Sequence, residues 1–194
     1  MARTQTLTQT SVIARGVPLN IALAIAASIF VAISAHIAFP LPFSPVPFSM
    51  QNLAVLIVGL ALGPEWGAGA LALYLAEGVA GLPVFAPTGP GGLAQLVGAT
   101  GGYLMAYPAV AYIAGLATSR LRGKLGRSSV GRFAAALFAC TVAEVALFAS
   151  GVSWLTLYTR SLPHAAMFGL LPFIPLEIAK IIIAAVAAPK LSRS

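Results

Sequence analysis

The chain has 194 residues, of which 59% are hydrophobic and 8% are charged, and it contains four glutamates but no aspartate. Roughly a quarter of a soluble domain is charged, so the composition excludes an ordinary soluble protein and indicates an all-α polytopic membrane protein. The net charge of +7 could suggest nucleic-acid binding, but its clustering in a few short segments indicates membrane topology instead.

The positive charges predict how the chain crosses the membrane. With six transmembrane helices, nine of the eleven lysines and arginines fall on one side: Arg3, Arg15, Arg120, Arg122, Lys124, Arg127, Arg132, Lys190 and Arg193. Positive residues favour the cytoplasm, so both termini are predicted to be cytoplasmic, in a bacterial-type plasma membrane. We predict one membrane domain over 17–190 between polar tails at 1–16 and 191–194. The basic segment 120–132 is predicted to be a loop that touches anionic headgroups of the membrane lipid.

The first predicted span, 17–39, is too long for the apolar core of a signal peptide and is expected to be a retained helix. It carries Ala22 and Ala26 four residues apart, and small residues at this spacing let another helix approach closely. A docking face for a partner and ordinary packing within the bundle are equally compatible with the spacing. The next segment, 40–48, has four prolines in nine residues, which predicts a stiff, extended lid carrying the exposed Phe43.

Spans two and three are predicted at 50–62 and 68–81, separated by a tight cytoplasmic turn at 63–67. Gln51 and Asn52 begin span two, where their side chains either cap the helix or line a cavity mouth, and capping is the commoner outcome. Tyr74 and Glu77 fall near the outer end of span three.

The stretch 82–102 is rich in glycine and proline and includes Gly91 and Gly92. Irregular backbone at membrane depth is tolerated where it lines a cavity, and glycine allows close approach to a ligand. A ligand-lining loop and a plain flexible connector therefore both remain possible. Span four, 103–119, begins at Tyr103 beside this loop.

Span five, predicted at 133–152, contains Glu144 near its middle. A carboxyl group at that depth is either protonated and hydrogen-bonded or part of a polar pocket. The following outer segment contains Trp154 and Tyr158, which are typical of an interfacial aromatic belt.

The last span begins around Pro172 and Pro175 and carries the charges that dominate the interpretation. Proline is tolerated in the first helical turn, so Glu177 is predicted to lie at the helix start and Lys180 one turn deeper on the same face. A charge in hydrocarbon costs about 3 kcal/mol on insertion scales, so such a pair is expected to face a ligand or a cavity. The alternative is an ion pair that only fixes helix packing.

The chemistry absent from the sequence restricts the function. Two histidines, one cysteine and four widely separated glutamates give no metal-ligand spacing and no nucleophile–base constellation. We therefore expect no metal, no cofactor, no catalytic residue and no ATP hydrolysis by this chain. A lid, a glycine loop and one buried ion pair at the outer side predict a binding protein for a small, partly apolar solute.

Several runs resemble one known family. They are residues 45–56 (PVPFSMQNLAVL), 62–64 (LGP), 74–86 (YLAEGVAGLPVFA), 98–103 (GATGGY), 151–155 (GVSWL) and 172–180 (PFIPLEIAK). They resemble BioY, the biotin-binding S component of energy-coupling factor (ECF) vitamin transporters. The resemblance implies a six-helix S-component fold, a biotin site open to the outside, and energisation by a separate T component with two ATPase subunits. A solitary protein of this kind would be a possible homo-oligomer.

The resemblance also implies site residues. The acid-x-x-Lys motif of the family falls on Glu177 and Lys180, although the acid there is usually aspartate. Pro90 and Leu104 stand where some members carry polar or basic ligand contacts. The predicted biotin-binding residues are Glu177, Lys180, Phe43, Gln51, Tyr74, Glu77, Phe85, Gly91, Gly92, Gln95 and Tyr103.

Ala22 and Ala26 resemble the alanine motif through which S components dock on the T component. Three alternatives to a biotin S component remain at this stage. They are an S component for another small vitamin, an enzyme acting on membrane lipids, and a structural subunit in which Glu177 and Lys180 only pack.

Overall fold

A computed structural model describes residues 16–125 and 128–191. The predicted tails, apart from Gly16 and Leu191, and Arg127 lie outside the described residues. The described part contains helices and one β-hairpin: α1 (Val17–His36), β1 (Ala38–Leu41), β2 (Ser44–Ser49), α2 (Gln51–Val79), α3 (Gly92–Val97), α4 (Gly101–Leu125), α5 (Ser129–Thr159), α6 (Leu162–Gly169) and α7 (Ile174–Leu191).

Three of the long helices have the length and hydropathy of membrane spans. Within 16–125 and 128–191, three helices meet both criteria: α1, α2 and α5. A fourth candidate is the pair of α6 and α7 up to Pro189, which is bent by 52°. Isoleucines on α1 such as Ile29 and Ile33 are exposed, as expected for a lipid-facing surface. The described part is therefore a largely helical membrane protein.

Helix α2 is two helices that fold back on each other. The backbone leaves the helical region at Gly63, with φ 79° and ψ −177°, and Pro64 follows. Gln51 and Tyr74 are 23 residues apart, yet their side chains are hydrogen-bonded at 2.7 Å, which a straight helix with a rise of about 1.5 Å per residue cannot achieve. The predicted turn over 63–67 was thus too long. Only Gly63 is non-helical, because proline fits the first turn of the second half.

The predicted lengths of the next two spans were also wrong. Helix α4 continues to Leu125 and α5 begins at Ser129, so most of the predicted basic loop is helical. The Ser128 side chain accepts a hydrogen bond from Gly131 N and caps α5. At its other end α5 continues to Thr159, which places Trp154 and Tyr158 on this helix instead of in an outer loop. Arginine and lysine are good helix formers, so the basic cluster did not end α4.

The proline-rich segment forms the β-hairpin, in agreement with its predicted extended conformation. Phe39 pairs with Phe48 and Ala38 with Ser49, with an irregularity between Phe39 and Leu41. Proline has no N–H to donate to a neighbouring strand, so within sheets it is found mainly on edge strands. Both strands of a two-stranded hairpin are edge strands. The hydroxyl group of Ser44 donates to Phe168 O at 2.6 Å, which fixes the hairpin to α6.

Glycines set the distance between the central helices. A Cβ atom at Gly115 on α4 would lie 2.6 Å from Pro64 N and 2.8 Å from Gly59 O on α2. At Gly59 it would lie 2.5 Å from Ala111 O. Small residues at such crossings bring helix backbones together where no hydrophobic effect drives association.

Substituting Gly115 with alanine is expected to lower the thermal stability of the protein in detergent, because the backbone atoms that face it cannot move independently. Overpacking of this kind costs about 1–3 kcal/mol. Gly69 on α2 has no heavy atom within 4 Å of its added Cβ, so Gly69→Ala is the matched control and should unfold no earlier than the wild type. Equal melting temperatures for Gly115→Ala and wild type would contradict this account of the crossing.

Candidate ligand-binding site

An ion pair lies at the start of α7. Lys180 Nζ is 2.7 Å from Glu177 Oε1, and the two side chains are 4% and 9% exposed. Glu177 is in the first helical turn, two residues after Pro175, so the predicted helical placement of the pair is confirmed. Its part in ligand binding stays a prediction at this point.

Lys180 also holds the β-hairpin. Its ammonium group donates to Ser49 O at 2.7 Å, at the end of β2, and lies 4.5 Å from the centre of the Phe48 ring. A cation over an aromatic face is attracted by the ring quadrupole. One lysine therefore joins the last helix to the hairpin.

Asn52 connects two carboxyl groups from different helices. Its Nδ2 donates to Glu177 Oε2 at 2.7 Å and to Glu144 Oε1 at 2.6 Å. Of the two outcomes predicted for Gln51 and Asn52, capping does not occur, because no side chain caps α2, and both residues line a cavity instead. Met50 is the N-cap residue, so Gln51 and Asn52 lie one and two residues beyond the position from which a side-chain oxygen accepts the free backbone N–H groups.

Glu144 is the other carboxyl group bonded to Asn52. It is 4% exposed on α5 and accepts a hydrogen bond from Asn52 within the polar cluster, so both interpretations of its role stay open. In the described part of the chain, Glu144 Oε2 and Asn52 Oδ1 are buried without a hydrogen-bond partner. Both atoms belong to side chains that are already bonded to each other.

A small cavity of about 70 Å³ lies beside this network. Its walls, like those of most ligand pockets, are mostly apolar with a few polar groups. The walls come from the hairpin, α2, α3, α4, α5 and α7 and the segments beside them: Val46, Pro47, Ser49, Gln51, Asn52, Ala86, Gln95, Thr100, Tyr103, Leu104, Tyr107, Leu147, Phe148, Gly169, Phe173, Glu177 and Lys180.

Five of the predicted site residues line this cavity, namely Gln51, Gln95, Tyr103, Glu177 and Lys180. Gln51 Nε2 donates to the Tyr74 hydroxyl at 2.7 Å. Tyr103 donates to Gly169 O at 2.7 Å, and Gln95 Oε1 accepts from Gly91 N at 3.1 Å. These bonds fix the polar side chains before any ligand arrives.

Two predicted residues lie behind the cavity wall. Tyr74 is fully buried, and its ring meets Phe85 edge to face at 5.4 Å between centres. The Tyr74 hydroxyl group donates to Val84 O while it holds Gln51. Tyr74 and Phe85 therefore support a lining residue and do not reach the cavity.

The other predicted contacts lie elsewhere. Gly91 and Gly92 have φ of 72° and 56° and form the turn that starts α3. Phe43 is 54% exposed in the turn of the hairpin. Glu77 points to α1, where it accepts a hydrogen bond from Ser28 at 3.1 Å. The structure brings none of these four to the cavity, because hairpin twist and helix rotation separate residues that are close in sequence.

The sequence interpretation missed several lining residues. Phe148 and Phe173 are apolar residues within apolar spans, so no sequence signal distinguished them from lipid-facing positions. Tyr107 could have been predicted from the sequence, because it falls one turn after Tyr103 on the same helix face. Leu104, expected to mark a lost contact, does line the cavity, whereas Pro90 is exposed.

Comparison with known proteins agrees with this architecture. The model of the BioY family matches residues 5–194. The Biotin transporter BioY of Thermotoga maritima is 34% identical over 153 residues, covering 79% of this chain and 85% of that protein. The protein of the same name from Rhodobacter capsulatus is 34% identical over 171 residues, covering 84% and 86%.

One solved structure is similar in fold. The S component for biotin from an ECF-type ABC transporter superposes with a TM-score of 0.79 at 24% identity, covering 91% of this chain and 92% of that one. The family match spans almost the whole sequence, including the segments that build the cavity. This chain therefore belongs to the BioY family.

Proposed function

We propose that this protein captures biotin from outside the cell as the membrane-embedded S component of an ECF transporter. It is a multi-pass protein of the plasma membrane, like the transporters of its family. The observation that carries the proposal is a largely apolar cavity beside the Glu177–Lys180 pair in a chain of the BioY family. The relatives are transporters, which agrees with the expectation that this chain is not an enzyme.

Lys180 is the proposed polar anchor for the ligand. An ammonium group has three N–H donors, and two of them are used by Glu177 and Ser49. The third is available for a ligand acceptor, and both the carboxylate and the ureido carbonyl of biotin can accept it. The Glu177 carboxylate can accept from a ureido N–H, since each carboxylate oxygen has two lone pairs.

The apolar part of biotin would be buried against Val46, Leu147, Phe148 and Phe173, all of which line the cavity. Burial of apolar surface contributes about 25 cal/mol per Å². Tyr103 and Gln51, already fixed by Gly169 and Tyr74, would present polar edges without losing further side-chain freedom on binding. The hairpin would then close over the ligand as a lid.

The proposed topology has six crossings: α1, the two halves of α2, α4, α5 and the α6–α7 pair. An even number places both termini on one side, and the basic residues of the tails and of 120–132 favour the cytoplasm. We propose that a T component and two ATPase subunits energise transport. Ala22 and Ala26 are exposed on α1, which supports their proposed role as the docking face. Without these partners, a homo-oligomer is the alternative assembly.

Lys180→Ala is expected to weaken biotin binding about 100-fold, because a charged hydrogen bond of up to about 3 kcal/mol is lost. Binding of labelled biotin to purified protein measures the effect. Lys124 on α4 is exposed, so Lys124→Ala is the matched control and should bind normally. Both variants are compared as monodisperse protein in detergent. Wild-type affinity in folded Lys180→Ala would overturn the site assignment.

Competition distinguishes biotin from another vitamin. Excess unlabelled biotin should displace the label completely, whereas thiamine and riboflavin should leave it bound, because neither combines a small saturated ureido ring with a flexible acyl chain that ends in a carboxylate. Displacement by thiamine or riboflavin at similar concentrations would favour the alternative, an S component for another small vitamin.

The docking proposal is tested by Ala22→Leu combined with Ala26→Leu. These changes should reduce uptake of labelled biotin by cells that also express the T component and the ATPase subunits, since bulky side chains prevent close helix approach. Equilibrium binding by the purified variant should stay unchanged. Ala149→Leu, at an exposed position on α5, is the control. Normal uptake by the double variant would place the docking face elsewhere.

A further inference from the structure

The buried carboxyl groups outnumber the positive charges around them. Glu144 and Glu177 share Asn52, and Lys180 pairs with Glu177 alone. The titratable and charged groups that face Glu144 are Glu177 and Lys180 on α7, Tyr107 on α4 and Cys140 on its own helix. If both glutamates were ionised, the cluster would carry one uncompensated negative charge in the interior, where an isolated charge is very costly.

Two unsatisfied oxygens identify where a compensating proton fits. Asn52 Nδ2 donates to Glu144 Oε1 at 2.6 Å, and the atoms left without a partner are the other oxygen of each group, Asn52 Oδ1 and Glu144 Oε2. A neutral carboxylic acid has one O–H donor. A proton on Oε2 donated to Oδ1 would complete a cyclic pair of an acid and an amide and satisfy both oxygens.

The second N–H of the Asn52 side-chain amide forms the hydrogen bond to Glu177. A carboxamide has two N–H donors, and in such a cyclic pair one of them faces the acid while the other points away. The second one meets Glu177 Oε2 at 2.7 Å. The three groups thus form a chain from Glu144 through Asn52 to Glu177, and Lys180 ends it.

We propose that Glu144 holds a proton in the working protein and acts as a positioning residue for the ligand site. The neutral acid fixes the orientation of Asn52, which in turn holds Glu177 against Lys180 at the cavity wall. The link to biotin rests on the proposed function, whereas the proton on Glu144 does not depend on it.

The proposal predicts the sign of a pH effect. Raising the pH removes the proton from Glu144 to solvent, turns a favourable O–H···O contact into a repulsion between oxygens, and adds negative charge beside the site. Biotin, which carries a carboxylate, should then bind more weakly. The expected loss is about tenfold at alkaline pH, the size of one buried hydrogen bond.

Glutamine imitates the protonated acid, because its amide N–H can donate where the O–H did. Glu144→Gln is therefore expected to bind biotin close to wild-type strength at neutral pH and to lose the alkaline decline. Glu144→Ala should bind about tenfold more weakly at every pH, since Asn52 loses its partner. The exposed Glu65 supplies a matched control, Glu65→Gln, with an unchanged pH profile. Lys180 and Tyr107 are retained in all of these variants.

Infrared spectroscopy tests the proton without using biotin. The wild type should show the carbonyl stretch of a protonated carboxylic acid at neutral pH, and this band should disappear in Glu144→Gln but persist in the control Glu65→Gln. Persistence of the band in Glu144→Gln, or its absence from the wild type, would overturn the proposal. Binding by Glu144→Gln as weak as that of Glu144→Ala would also overturn it. If no variant bound biotin while the band behaved as expected, the proposed ligand would fail and the proton assignment would stand.

Discussion

The structure depends on the need to satisfy charged and polar groups inside a membrane protein. Lys180 reaches Glu177 on its own helix and Ser49 on the hairpin, while Asn52 joins Glu177 to Glu144. These hydrogen bonds connect four elements in one network: α2, α5, α7 and β2. Breaking such a network leaves a buried group unpaired, so it specifies one arrangement of helices that apolar packing alone would leave less defined.

The helices that carry these groups are held close by small residues. Gly59 and Gly115 bring α2 and α4 into backbone contact, and Gly63 lets α2 reverse so that Gln51 meets Tyr74. This close packing on one side leaves room on the other, where the cavity opens between the hairpin, α4, α5 and α7. The position of the site is a consequence of where the large and small residues fall in the bundle.

The cavity combines a fixed polar edge with apolar walls. Gln51, Gln95 and Tyr103 are bound to protein groups already, so little ordering is required when a ligand enters. The hairpin is held by Ser44 on α6 and by Lys180 on α7. Since Lys180 also belongs to the cavity wall, contact with a ligand and the position of the hairpin are coupled through one ammonium group.

Much of the site was predictable because charge is rare in this chain. Glu177 and Lys180 stand out against apolar surroundings, and their spacing on a helix fixes their contact. Gln51 and Tyr103 lie in family motifs and do line the cavity, as does Gln95. Phe43, Glu77, Gly91 and Gly92 were expected there as well, but Phe43 lies in the hairpin turn, Glu77 faces α1, and the two glycines form the turn that starts α3.

The sequence by itself determined the membrane class, the extended proline segment, the family and the ion pair, because these follow from composition and local spacing. Only the tertiary structure decided that Asn52 bonds to two carboxyl groups instead of capping α2, and that Phe148 and Phe173 face a cavity instead of lipid. The physical reason is that apolar residues look alike in sequence whether they meet lipid, protein or ligand. Which one they meet depends on helix rotation, and long-range packing sets that rotation.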